Sequence, residues 1–416
     1  MIIKLTSNKA KIIELIFLSF LISLIIVSCF KPIQAGTGKI GIKALPLDIG
    51  DRRFYIKDED PFAERGLVNF KGGPLYPNIL KGISFITIKI SNQNSISYFW
   101  NTLAITISSI LSFLTIRLAY GAGKLLCDES TGIITMVFFT ICPYTYFYAL
   151  SGGITIYTLF GTTLATYLTL KISRTSSILF HPKNKIIIYI FLSIVLIYMA
   201  YIRPSSIIFC EIISSIIIIS QFKNILFNKE KKYSAIVLFI FMIPLIIGIN
   251  ELWETKYYSI KAFNAFSNEQ GTFLGYERDL IRNKIKILMQ SPQLINNLEG
   301  FTYNVIWKVN DFFSGIIDIR DTHNPVETPL LSFLIRISIG TFFLAPITYI
   351  FFIGLYVLRK NIISSGLWIS LTASIISISP SLIGVAMSRY YYMFITPFVL
   401  VSAMTISNIY KSKNLN

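Results

Sequence analysis

The chain has 416 residues, of which 53% are hydrophobic and only 14% are charged. That balance excludes an ordinary soluble globular protein and fits a chain that crosses a membrane many times. The formal charge of +17 does not call for nucleic acid. Lysines flanking spans on one side of a membrane account for it, and no nucleic-acid-reading motif interleaves with them.

Taken in chain order, the apolar runs predict ten spans, at about 12–30, 99–119, 131–148, 153–171, 185–201, 204–221, 234–251, 332–358, 362–385 and 391–409. Each reaches or approaches the ~18 apolar residues that a spanning helix needs. The joints within 131–171 and within 185–221 are so short that each pair reads as a tight helical hairpin. The expected fold class is an all-α polytopic membrane protein of about ten transmembrane helices, a single domain over 1–416. Lys4, Lys9 and Lys11 precede the first span. Lys171, Arg174, Lys183 and Lys185 form a second basic group, and Lys223, Lys229, Lys231 and Lys232 a third. Arg359 with Lys360 and Lys411 with Lys413 complete the set. In a ten-span topology all these groups share one side, which the positive-inside rule makes the cytoplasm, both termini included. The Ile, Lys and Asn bias is that of a low-GC bacterial genome, so the expected location is the bacterial cell (inner) membrane. The stretch Ile26-Val27-Ser28-Cys29 resembles a lipoprotein cleavage site, but the preferred reading keeps the first span intact. None of the four cysteines forms a C-x-x-C pair, so neither a metal site nor a redox motif is indicated.

Two long segments, 31–98 and 252–331, fall outside the membrane in this topology, where loops of such length carry function. The first holds an interrupted amphipathic piece at 78–90. The second holds an amphipathic helix at 276–289, stopped by Pro292, and a further helical stretch at 301–313. Asp318, Asp321, His323 and Glu327 mix oxygen and nitrogen ligand types. Their spacing matches no metal site and reads as a solvated loop.

The first segment contains Asp58-Glu59-Asp60-Pro61-Phe62-Ala63-Glu64 and, downstream, Gly73-Pro74-Leu75-Tyr76-Pro77. Adjacent carboxylates repel one another, and partial burial raises the pKa of at least one, which suits a general base. In isolation the trio reads more readily as a solvated acidic turn. Arg203 and Arg389 sit at outer ends of expected spans, where an arginine serves either as an interfacial anchor or as a bidentate phosphate ligand. Arg52, Arg53, Lys57 and Lys71 could serve the same phosphate.

Asp58-Glu59-x-x-Phe62-Ala63-Glu64 followed by Pro74-Leu75-Tyr76-Pro77 resembles the first-loop pattern of the GT-C membrane glycosyltransferases. The match is to the branch of the lipid A aminoarabinose transferases and the protein O-mannosyltransferases, with Phe62 in place of Tyr and Gly73-Pro74 in place of Pro-Pro. Further landmarks are similar in order and spacing. They are Cys142-Pro143-Tyr144, Ala200 to Arg203-Pro204, Pro292 after an amphipathic helix, and Arg389-Tyr390 with Pro397. One landmark departs: the acid that relatives carry at the outer start of the fourth span is absent from Ser151-Gly152-Gly153-Ile154-Thr155.

The resemblance implies an enzyme that transfers a sugar from a polyprenyl-phosphate donor to a lipid, glycan or protein acceptor on the outer face of the membrane. It assigns Asp58 as the general base and Glu59, Tyr76, Arg203 and Arg389 to substrate binding. No cofactor is specified, and a divalent metal stays open. The expected partners are the lipid-linked donor, its acceptor and membrane lipids, with no nucleic acid. The rival classes are a lipid or polysaccharide transporter or flippase, which favours repeats and mid-membrane charges, and a polymer ligase.

Overall fold

In the computed structural model the described residues are 7–35, 38–44, 75–90, 96–174, 186–227, 231–268, 343–383 and 388–413. Their helices are α1 (Asn8–Phe30), α2 (Leu75–Ile90), α3 (Ile96–Leu126), α4 (Glu129–Ile141), α5 (Pro143–Ser151), α6 (Ile154–Arg174) and α7 (Ile186–Ile202). They continue as α8 (Pro204–Phe227), α9 (Lys231–Asn268), α10 (Ala345–Val357), α11 (Arg359–Ser364), α12 (Leu367–Ile383), α13 (Ser388–Met393) and α14 (Thr396–Lys413). The fold is helical, as the composition predicts. One unexpected element follows α1: an antiparallel hairpin of β1 (Ile33–Ala35) and β2 (Gly38–Ile40).

Among the described residues, four helices are long and apolar enough to cross a membrane, and two bent helix pairs bring the number to six. The shortfall from ten has physical causes. Helix α6 is rich in threonine and α7 has only 17 residues, while the expected span at 131–148 is present but broken, as one of the two bent pairs. Pro143 lacks an N–H and cannot continue α4, so α5 leaves at 58°. The carbonyls freed at the end of α4 are met from α5: Thr145 Oγ1 donates to Phe139 O at 2.7 Å and the Tyr146 hydroxyl to Thr140 O at 2.6 Å. A second bend of 87° separates α10 from α11. Helix α9 runs past the expected end at 251 to Asn268, into the segment expected to be a loop.

Helix α6 is the axle of the bundle, packed by α3, α5, α7, α12, α13 and α14. Its buried threonines are satisfied mainly within the helix, although Thr163 Oγ1 also lies 2.7 Å from Thr396 Oγ1 of α14. Thr158, Thr162, Thr163, Thr166 and Thr169 each donate to the carbonyl four residues back, as does Ser173. The stripe is therefore small and internally satisfied, which lets neighbouring backbones approach closely. The α3–α4 crossing uses the same device: a Cβ on Gly123 would lie 2.8 Å from Gly132 Cα. Pro244, inside α9, frees the Ile240 carbonyl, and Ser193 of α7 donates to it at 3.2 Å.

The bundle has a basic end. There Glu14 of α1 pairs with Arg117 of α3, and Lys411 near the end of α14 pairs with Asp128, the N-cap of α4. Asp128 also accepts from the Thr131 backbone N–H and hydroxyl, both at 2.8 Å. Partial burial pushes its carboxyl up, but the hydrogen bonds from Lys411 and Thr131 outweigh this and hold the pKa below the usual value. A pKa depressed on folding adds stability above the unfolded-state value of about 3.9, and that stability is lost as pH falls through the lowered native value. Thermal unfolding in detergent is therefore expected to show wild-type Tm dropping toward that of Asp128→Asn as pH falls from about 5 to below 4. Parallel pH profiles for the two proteins would remove the pair from the account. As the N-cap, Asp128→Ala is expected to cost about 1 kcal/mol at neutral pH.

Candidate functional site

The site is at the end of the bundle opposite Asp128 and Lys411, and its centre is the break between α7 and α8. Proline disfavours a helical conformation in the residue before it and is tolerated in the first turn of the next helix. Ile202-Arg203-Pro204 therefore ends α7 and starts α8, with Arg203 at the joint. Ser206 locks the joint: its backbone N–H donates to Arg203 O at 3.1 Å, and its hydroxyl reaches Arg203 O and Met199 O, both at 2.7 Å. The Arg203 side chain is partly buried, and its Nη1 lies 3.4 Å from Met393 Sδ.

That contact joins residues 190 positions apart in the chain. Met393 ends α13, and Arg389 stands on the same short helix one turn earlier. Helix α13 is held from both flanks. The Tyr391 hydroxyl is 3.0 Å from Thr348 Oγ1 of α10, and the Tyr392 hydroxyl is 2.7 Å from Thr145 Oγ1 of α5. The Tyr392 ring also stacks on Tyr148 at 5.6 Å and meets Tyr144 edge-on at 5.4 Å. The two arginines singled out in the sequence thus belong to elements that touch.

Tyr76, at the start of α2, is fully buried. Its hydroxyl donates to Gly152 O at 2.9 Å and its ring lies edge-on to Tyr157 of α6 at 5.4 Å. Tyr198 of α7 donates to Tyr157 O at 3.0 Å, and Arg203 follows five residues later. A chain of tyrosines thus links α2, α6 and α7 toward the Arg203 joint. The turn at Gly152 is a left-handed glycine (φ 60°) whose carbonyl accepts from the Tyr76 hydroxyl. Asp58 and Glu59 lie outside the described residues, as do Pro292 and the cluster from Asp318 to Glu327.

Two residues were missed by sequence reasoning. The Ser205 hydroxyl, in the first turn of α8, is buried and has no hydrogen-bond partner. It adjoins Arg203 at a helix N-terminus, which favours anions. The signal was present as the residue after Arg203-Pro204. Glu211 lies two turns further along α8, and its Oε1 is buried with no hydrogen bond. It fits because position 248 of α9 is glycine: a Cβ there would sit 1.6 Å from Oε1. A lone acid within an apolar run was its sequence signal. Among the described residues no group of three or more His, Cys, Asp or Glu side chains could hold a metal ion.

No protein-family model matches the chain, and no curated protein matches it. Solved structures do. The Archaeoglobus fulgidus oligosaccharyltransferase in complex with zinc and sulfate is similar at a TM-score of 0.51 and 13% identity, over 98% of this chain and 50% of that one. Its apo form gives a TM-score of 0.50 and 15% identity, over 98% of this chain and 51% of that one. The chain spans about half the length of these structures. At such identity the likeness shows the fold alone, one shared with about half of that oligosaccharyltransferase. It does not select the aminoarabinose transferase and O-mannosyltransferase branch.

Proposed function

We propose that this chain transfers a sugar from a polyprenyl-phosphate donor to an acceptor at the outer face of the membrane. The observation that carries the reading is the meeting of the Arg203 joint and α13, with its Arg389, at the bundle end where α2 begins, within a fold shared with an oligosaccharyltransferase. The basic end is the cytoplasmic one by the positive-inside rule, so the site end faces outward.

The chemistry needs one base and one cationic cradle. Asp58 takes the proton from the acceptor nucleophile, which attacks the anomeric carbon. The bond from that carbon to the phosphate oxygen breaks, and polyprenyl phosphate leaves with the electron pair. Phosphate is a good leaving group, so the second carboxylic acid that glycosidases use to protonate theirs is not required. The developing charge on the phosphate is held by Arg203 and Arg389, with Ser205 donating a hydrogen bond from the α8 N-terminus. Glu59 is assigned to donor binding, and Tyr76, fully buried with its hydroxyl on Gly152 O, supports the site from behind. The zinc in the oligosaccharyltransferase structure belongs to that protein. The described residues offer no comparable ligand group, and no step here runs through a metal.

Glu211 favours a second reading, because an unpaired acid inside a spanning helix is a mark of transporters. One experiment separates the two. Purified protein in liposomes without ion gradients is expected to consume a polyprenyl-phosphate hexose and release polyprenyl phosphate. Movement of intact donor between leaflets with no release would support transport and overturn the transferase reading.

A further inference from the structure

Met393 is fully buried at the end of α13, where its Sδ lies 3.4 Å from Arg203 Nη1. The residues beside it are tied to four other helices. The Tyr391 hydroxyl meets Thr348 of α10, and the Tyr392 hydroxyl meets Thr145 of α5. The Phe394 ring lies 5.8 Å from that of Phe209 on α8. Thr396 Oγ1, at the start of α14, is 2.7 Å from Thr163 Oγ1 of α6. Between these anchors the backbone turns tightly: Phe394 N–H donates to Tyr391 O at 3.1 Å, and Ile395 N–H to Tyr392 O at 3.3 Å. Methionine is a flexible side chain in most cores. Here its backbone is pinned on both sides, so the sulfur stands at a set place against Arg203.

We infer that Met393 is a positioning residue for Arg203. A carboxylate at this position would pair with the guanidinium and cancel its charge. A thioether is a weak, neutral acceptor, so its contact orients the guanidinium and cancels none of the charge. Arginine also has many rotamers, and fixing one before a ligand arrives removes that entropy from the cost of binding. The sulfur acts only through Arg203. Helices α5, α6, α8 and α10 set α13, α13 sets the sulfur, and the sulfur sets the direction in which the guanidinium meets an anion. The inference rests on the reading of Arg203 as a phosphate ligand.

The test uses the full chain in nanodiscs with a polyprenyl-phosphate hexose, inhibition by polyprenyl phosphate, and the arginine Nε resonances of isotope-labelled protein. The Arg203 resonance is identified by its absence from Arg203→Lys. Met393→Leu keeps the side chain's volume and removes the acceptor. It is expected to narrow the Arg203 line, to lower kcat about 3- to 10-fold and to weaken product inhibition by a similar factor, with Tm unchanged. Met393→Gln returns a neutral acceptor and is expected to recover most of kcat. Met393→Glu pairs with the guanidinium and is expected to abolish product inhibition while the Arg203 line stays broad. A role in packing alone gives the opposite order: Met393→Leu behaves like wild type, and both polar variants lose Tm and activity because they bury a polar group. That order overturns the inference, as does an unchanged Arg203 line in Met393→Leu. If Arg203→Ala leaves product inhibition at the wild-type level, the phosphate reading fails instead. The Arg203 line then decides alone: narrowing in Met393→Leu upholds the hold of the sulfur on the guanidinium, and no change overturns it.

Discussion

Replacing Asp58 with Asn is expected to lower sugar transfer about 10²- to 10⁴-fold, the range that a positioned general base contributes. The substitution keeps the side chain's size and polarity and removes only its ability to take a proton. Because the change is isosteric, expression, membrane insertion and Tm are expected to match wild type. The loss should appear in kcat, since the base acts on the acceptor in the transition state and contributes little to donor affinity. Glu59→Gln and Asp60→Asn are the internal controls. Adjacent carboxylates raise one another's pKa, so these variants should shift the pH dependence of transfer without abolishing it. Near-wild-type turnover in Asp58→Asn would return the acidic trio to the status of a solvated turn.

The second large effect is expected at Arg203. Arg203→Ala should lower kcat about 10²- to 10³-fold, the loss seen when one donor to a developing oxyanion is removed. Arg203→Lys keeps the charge but loses the planar fork that meets two phosphate oxygens, and it should fall between alanine and wild type. Inhibition by polyprenyl phosphate gives an independent reading, because it carries the leaving group's full charge. It should weaken in the same order across the two variants. If Arg203 is only an interfacial anchor, both substitutions will lower Tm and leave product inhibition unchanged. Ser206 and Pro204 keep the backbone of the joint in place in either variant, so loss of the guanidinium can be read separately from loss of the break.

Much of the architecture was legible because single residues dictate it. Pro204 announces the α7–α8 joint, and alternating basic groups announce which helix ends share a face. Pro143 was equally visible, yet an apolar run reads as one span whether or not it bends, so the α4–α5 break was absorbed into 131–148. The end of α9 was missed for a related reason. Hydropathy falls after Glu251, but no Pro or Gly interrupts residues 252–268, and a helix can outlast its apolar stretch. The site's cross-contacts were not legible at all. Nothing local to Tyr76 indicates Gly152, and nothing local to Arg203 indicates Met393; these pairings exist only once the helices pack. The hairpin at 33–40 is similarly set by its seat on Ile105 and Leu150 rather than by a strong strand pattern.

The proline in α9 bears on how the chain is made. Pro244 leaves the Ile240 carbonyl without its own helix's N–H, and inside a bilayer no water replaces it. The donor comes from Ser193, some fifty residues earlier on α7. Because α7 precedes α9 in the chain, the donor for the exposed carbonyl is synthesised before the carbonyl itself. The order of the segments along the chain is in this respect also an order of assembly.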